Sequence, residues 1–257
     1  MWIRRFTPFV LLVVALAIPI AARPQSAAEH ITLGDEAHQA FDPAKALEHY
    51  EAALALEAEN AVALGRASRS TVDVGEQLTE KGARTAMFRK GEQYARRAIA
   101  VDPNTAEYHF HLARALGRVA LNVGVRDRVK FAVEIRSAAL DALAKDSTHP
   151  GALHVMGVWN AEIMRLNGFE RFFARNLLGG GVFGKANWKE AVSYMERAVA
   201  VDPQRLTHHL DLAMIYRDVG EKAKAREHFQ FVIDGPRTDF NDPLYKREAE
   251  EALKRLK

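Results

Sequence analysis

One ten-residue pattern constrains the fold more than anything else in the chain. Tyr94-Ala95-Arg96-Arg97-Ala98-Ile99-Ala100-Val101-Asp102-Pro103 returns a hundred positions later as Tyr194-Met195-Glu196-Arg197-Ala198-Val199-Ala200-Val201-Asp202-Pro203. Weaker copies are Tyr50 to Glu57 and Ala139 to Asp146. Each reads as a helix end followed by a polar or proline-containing break. After the breaks, Leu112-Ala113, Leu153, Met156 and Gly157, and Leu212, Ala213 and Tyr216 recur at spacings of three and four, the period of one helix face. A unit of this kind cannot bury its apolar face alone, so it must stack on copies of itself. The unit is a helix A packed antiparallel on a helix B.

Small residues stand where paired helices must approach closely: Gly34, Ala46, Ala53, Ala191, Ala198 and Ala225. Proline at the Asp-Pro junctions lacks a donor, and we expect it to begin the following helix. The spacing resembles the tetratricopeptide repeat. Leu33-Gly34, Ala46, Tyr50 and Ala53 fit its first copy, and Tyr216, Gly220, Ala225 and Phe229 its last. The expectation is an all-α, tetratricopeptide-like solenoid of four to five antiparallel hairpins. Two insertions lengthen it, around Gly65 to Lys90 and from Asn167 to Asn187. The repeat domain covers 29–257, with a last helix, 242–257, as C-terminal cap.

The N-terminus reads as a targeting segment. Arg4 and Arg5 precede an almost unbroken apolar run from Phe6 to Ile18, and Ala21-Ala22 supply small residues before polar sequence. This is the pattern of a secretory signal peptide spanning 1–22, or reaching 28 if cleavage follows Ala28. Its alternative is an uncleaved helix anchoring the chain in a membrane. The chain has no cysteine, which excludes a lipoprotein anchor, a thiolate metal site and a cysteine nucleophile, and is compatible with an oxidising compartment. The expected location is therefore periplasmic or secreted. Removing Arg4 and Arg5 from the 36 basic residues leaves 34 against 33 acidic ones, mixed along the chain. No local surplus of Lys and Arg marks a nucleic-acid groove.

Beyond the repeat, Arg66-Ala67-Ser68-Arg69, Tyr94-Ala95-Arg96-Arg97-Ala98, Met156-Gly157-Val158-Trp159, Phe169-Glu170-Arg171 and Phe183-Gly184-Lys185 follow one another in an order similar to that of the regulator of microtubule dynamics proteins. The resemblance covers roughly 46–257. It implies an all-helical solenoid with no catalytic residues to carry over. Eukaryotic members are linked to microtubules and to contacts between mitochondria and the endoplasmic reticulum, and the domain of one member is associated with phospholipid binding. A signal peptide would place this chain away from tubulin, so what the resemblance implies here is the fold and a lipid-accommodating groove.

Three constellations remain. Gly179 to Ala186 nearly spells a phosphate loop, but Ala186 lacks the hydroxyl that Mg²⁺ needs, and the preceding segment reads as helix rather than strand. The same stretch holds Phe169, Phe172, Phe173, Leu177 and Phe183, which either plug the solenoid, cover an apolar groove over 169–184, or touch a membrane surface. Of the ten histidines, His109 and His111 are two apart and His208 and His209 adjacent, so neither pair converges on a metal. No nucleophile elbow or acid pair is visible, and no metal or cofactor is implied.

Recognition would fall to the concave surface lined by the A helices, where the register places His111, Arg114, Arg118, His154, Glu162, Asp211 and Arg217. Arg114 and Arg118 lie one turn apart and either present paired guanidinium groups to a carboxylate or phosphate, or pair with acids such as Glu107 or Glu134. The expected function is that of an exported, non-enzymatic binding or scaffold protein with a protein or peptide partner. The alternative is a carrier of a lipid or other small apolar ligand.

Overall fold

The computed structural model describes residues 26–123, 125–166 and 181–256. They form five antiparallel helix hairpins and a C-terminal helix. The hairpins are α1 (Ala27–Gln39) with α2 (Pro43–Leu56), α3 (Ala61–Gln77) with α4 (Lys81–Val101), α5 (Ala106–Ala120) with α6 (Val125–Lys145), α7 (Pro150–Arg165) with α8 (Trp188–Val201), and α9 (Leu206–Asp218) with α10 (Lys222–Asp234). The last helix, α11 (Asp242–Arg255), packs on α9 and α10. There is no strand among the described residues.

Local chemistry sets the helix starts. Ser26 and Glu29 form a reciprocal capping box at α1. Asp42, Asn60 and Asn187 each accept from a backbone N–H in the first turn of α2, α3 and α8, and His149 Nδ1 accepts from Ala152 N–H at 3.1 Å in α7. Of the Asp-Pro prolines, Pro43 begins α2 as expected, and Pro150 after His149 begins α7, but Pro103 and Pro203 do not begin α5 and α9. They sit in the connecting turns. Asp102 accepts from Asn104 N–H and from the Thr105 hydroxyl, and the carbonyl of Pro103 lies 2.9 Å from His109 Nε2. Pro203 and His209 repeat that last contact at 3.1 Å.

The duplicated decapeptide carries a second repeated contact. Arg97 donates to the carbonyl of Ala58 at 2.6 Å, and its counterpart Arg197 donates to that of Ser147 at 3.0 Å. Each arginine holds the turn that leads from the preceding hairpin into its own. The close-approach positions are as small as the packing requires. Ala46, Ala53, Ala191, Ala198 and Ala225 are fully buried. A Cβ on Gly34 would lie 2.4 Å from the Tyr50 ring, and one on Gly157 would lie 2.4 Å from Met195 Cγ.

The expected first insertion, Gly65 to Lys90, is almost wholly helical. It is absorbed by lengthening α3 and α4 to 17 and 21 residues around a short turn. The second expected insertion lies mostly outside the described residues, and with it Phe169, Phe172, Phe173 and Leu177. Its end, Gly181–Lys185, is a 3₁₀ turn in which Phe183 is buried and stacked on Trp159, with centroids 6.1 Å apart. Trp159 in turn donates to the carbonyl of Ala132 at 2.7 Å.

The stack is closed across its open side by residues 235–245. Arg237 lies over the ring of Phe41 in the α1–α2 turn at 4.4 Å, and the Asn241 side-chain amide donates to Glu76 of α3. Asp239 accepts from Arg205 at 2.7 Å. Asp242, wholly buried, gathers this loop by accepting from the N–H groups of Thr238 and Asp239, both at 2.7 Å. This C-terminal clasp brings the last hairpin against the first two.

Candidate functional site

The A helices α1, α3, α5, α7 and α9 line the inner face. On α3, Arg66, Arg69, Asp73 and Glu76 recur at three and four and share one stripe, and on α5 Glu107, His111, Arg114 and Arg118 do the same. Ion pairs bind the stripes of neighbouring helices. Arg66 reaches Asp35 of α1 at 2.5 Å, Arg114 donates to Asp73 at 2.6 Å and approaches Glu76 at 3.3 Å, and Arg118 meets Glu76 at 2.6 Å.

Beyond α5 the pattern continues. Glu107 receives both His111 Nε2, at 3.1 Å, and His149 Nε2, at 2.8 Å. His154 of α7 and Asp211 of α9 are 2.6 Å apart. Arg165 joins Glu162 on its own helix to Asp218 of α9, and Arg217 reaches the same Asp218 at 3.0 Å.

The seven groove residues read from the sequence thus all fall on inner helices, each with a charged neighbour. The structure brings Arg114 and Arg118 together on Glu76, and His154 onto Asp211. It does not join these two groups to each other or to the Glu162–Arg217 end. The arginines find their acids on α3, while Glu107 serves His111 and His149, and Glu134 serves Arg96 at 2.5 Å. Asp73 and Glu76 escape the sequence reading because 65–90 looks there like an insertion. Their spacing from Arg66 and Arg69 is the available signal.

Burial and pairing work against each other here. For Arg114, burial alone would lower the pKa, but the Asp73 and Glu76 carboxylates overcome it and hold the guanidinium more firmly charged. Burial pushes Glu107 up, and hydrogen bonds from His111 and His149 more than reverse this, holding its carboxyl well below the usual range. His111 is lowered, chiefly by burial. His208, packed edge-on against His154 with ring centroids 4.9 Å apart, is lowered by burial to about 2. Among the described residues, no group of three His, Cys, Asp or Glu side chains could hold a metal ion.

A model of the family described as Regulator of microtubule dynamics protein 1-3 matches residues 30–257. The chain belongs to the regulator of microtubule dynamics family. This family member is 25% identical over 203 residues to Regulator of microtubule dynamics protein 1 of Bos taurus, an alignment covering 77% of this chain and 62% of the relative. It is 22% identical over 189 residues to Regulator of microtubule dynamics protein 3 of the same species, covering 73% and 40%. It therefore spans less than two thirds of the length of these curated relatives.

Among solved structures, a thermophilic tetratricopeptide protein of Thermus thermophilus superposes with a TM-score of 0.61 at 15% identity, covering 88% of this chain and 99% of that one. PilW, a widely conserved type IV pilus biogenesis factor, superposes with a TM-score of 0.55 at 17% identity, covering 89% and 92%. At these identities the likeness is one of fold. This member of the regulator of microtubule dynamics family is a tetratricopeptide-like α-solenoid whose inner helices are joined by ion pairs.

Proposed function

We propose that this protein is an exported, non-enzymatic adaptor that holds a protein or peptide partner in the concave face of its solenoid. The observation that supports this most is the ordering of the inner face. Five successive A helices present polar side chains that are already fixed by one another, so a partner would meet a surface that loses little entropy on binding. The rim of that surface is open: Arg217 and Glu162 are exposed, at opposite ends of the Arg165–Asp218 bridge.

Export fits the N-terminus of α1. Cleavage after Ala22 would leave the Ser26–Glu29 capping box whole, whereas cleavage after Ala28 would remove Ser26 and the buried Ala27. We therefore propose Arg23 as the mature N-terminus, in the periplasm or outside the cell. The membrane-anchored alternative requires an uncleaved N-terminal segment. Among the described residues no helix is long and apolar enough to cross a membrane. For the lipid-carrier reading, Phe183 gives no support, since it is packed into the core against Trp159.

Photo-crosslinking residues at positions 162 and 217, with position 189 on the outer helix α8 as control, test the adaptor reading in the producing cell. Discrete adducts from 162 and 217 and none from 189 are expected. Adducts from 189 alone would reject the groove as the working surface.

A further inference from the structure

Three histidines hold the same place on A helices. His30 of α1, His109 of α5 and His209 of α9 each stand four residues before a small buried residue, namely Gly34, Ala113 and Ala213. For two of them the B helix of the same hairpin supplies a second histidine. His49 precedes Tyr50 on α2 and His228 precedes Phe229 on α10, so the members of both pairs are 19 residues apart. The first and the last hairpin thus repeat one arrangement. In it two Nδ1 atoms face each other, at 3.3 Å for His30 and His49 and at 2.8 Å for His209 and His228. His109 has no such counterpart, since α6 contains no histidine.

The last hairpin shows how the rings are held. His209 Nε2 lies 3.1 Å from the Pro203 carbonyl and must carry the ring proton to donate there, which leaves Nδ1 a bare lone pair. His228 therefore donates from its own Nδ1. A hydrogen bond from the second ring nitrogen to a backbone carbonyl is the hold that orients metal-ligating histidines. The buried His209 ring stacks on Phe231, with centroids 3.9 Å apart, and the half-buried His228 ring on Tyr216, at 5.6 Å. Burial lowers both histidines and keeps them in the neutral form that binds metal. The charge of Asp202 bears on His209, and those of Glu227 and Glu196 on His228, against that of Lys224, so the local field favours a cation.

We propose that each of the two pairs is a seat for one divalent transition-metal ion of the copper and zinc class, held by both Nδ1 atoms. With metal–nitrogen bonds of about 2.0 Å, a span of 2.8 Å subtends about 90° and one of 3.3 Å about 110°. These are the cis angle of a square-planar ion and the angle of a tetrahedral one. The ion takes the place of the hydrogen bond between the rings. His228 releases the Nδ1 proton and takes one from solvent at Nε2, so its ring stays neutral. Among the described residues no third His, Cys, Asp or Glu completes either group, which leaves the remaining positions to water. A pair of imidazoles suits copper and zinc rather than Mg²⁺ or Ca²⁺, and copper(II) binds tightest of the series. The seats lie within single hairpins and do not depend on the adaptor reading.

Copper(II) chloride is the probe, titrated calorimetrically into the protein without an affinity tag and in the presence of excess magnesium chloride. The unaltered protein should take up two ions. H49Q and H228Q should each lose one of them, with an affinity loss at that seat above the roughly 10–100-fold that removing an outer partner of a metal ligand costs. H109Q should keep both. Should a variant fail to fold, nuclear magnetic resonance of the unaltered protein carries the test. At substoichiometric copper(II) the ring signals of His30, His49, His209 and His228 should broaden before that of His109. Unchanged uptake in both H49Q and H228Q, or broadening of His109 together with the pairs, overturns the two seats. Loss in one variant alone overturns the seat of the other.

Discussion

Replacing Glu76 by glutamine should loosen the protein at both of its ends. The Glu76 side chain is 7% exposed and accepts from Arg118 at 2.6 Å, from Arg114 at 3.3 Å and from the Asn241 amide. The substituted amide keeps the shape but offers one acceptor oxygen in place of two, so its NH2 group must face either the arginines or the Asn241 amide. Removing one partner of a buried ion pair costs about 3–5 kcal/mol. Here Arg114 retains Asp73 at 2.6 Å, and Arg118, 35% exposed, can be rehydrated, so the expected loss falls to about 2–3 kcal/mol. Urea unfolding should show this as a lower midpoint at an unchanged m value. Because Glu76 also holds Asn241, 165 positions downstream at the start of α11, amide exchange in α11 should accelerate along with that in α3. A combined E76Q and R118M variant should lose clearly less than the two single variants summed, since the two side chains share one contact. A loss below about 0.5 kcal/mol, the level of an ordinary surface substitution, with unaltered exchange in α11, would refute the reasoning.

Acid should act through His208, whose pKa burial depresses to about 2. A base depressed in the folded state leaves the unfolded chain binding more protons, so this contribution is intact above about pH 6.5 and shrinks as pH falls toward the folded value. Between pH 7 and pH 5 the loss from this group is about 2 kcal/mol. Urea titrations at both pH values should show H208Q losing less stability than the parent by that amount, and equal losses would remove the assignment. Gly157→Ala should cost about 1–3 kcal/mol in thermal unfolding, since its Cβ would lie 2.4 Å from Met195 Cγ and 3.2 Å from Met195 N, and Met195 can yield only in part. Sequencing of the purified exported protein should begin at Arg23, and a chain still starting at Met1 would withdraw the cleavage.

What could be read from the sequence was what repeats locally. Ala46, Ala53, Ala191, Ala198 and Ala225 recur because each hairpin must bring its own two helices close, a constraint that acts within a single hairpin. The order of the hairpins followed from the same pattern. The pairing of the inner face was less legible, since Arg114 and Asp73 belong to different hairpins and their meeting depends on how the hairpins stack. The length of α3 and α4 mattered most: read as an insertion, 65–90 hid the stripe that meets Arg114 and Arg118. The clasp was out of reach for a similar reason. Arg237, Asp239 and Asn241 carry no pattern that names Phe41, Arg205 or Glu76, and only the curvature of the whole stack brings them together.

That closure is the claim on which the inner face depends, and the chain's lack of cysteine makes it directly measurable. Spin labels on A40C and P236C, both at exposed positions beside the Phe41–Arg237 contact, report the separation of the first turn and the clasp. A single short, narrow distance distribution in native buffer, lengthening only when urea unfolds the protein, is the predicted result. A long or broad distribution in native buffer would contradict the closed solenoid and, with it, the groove described above.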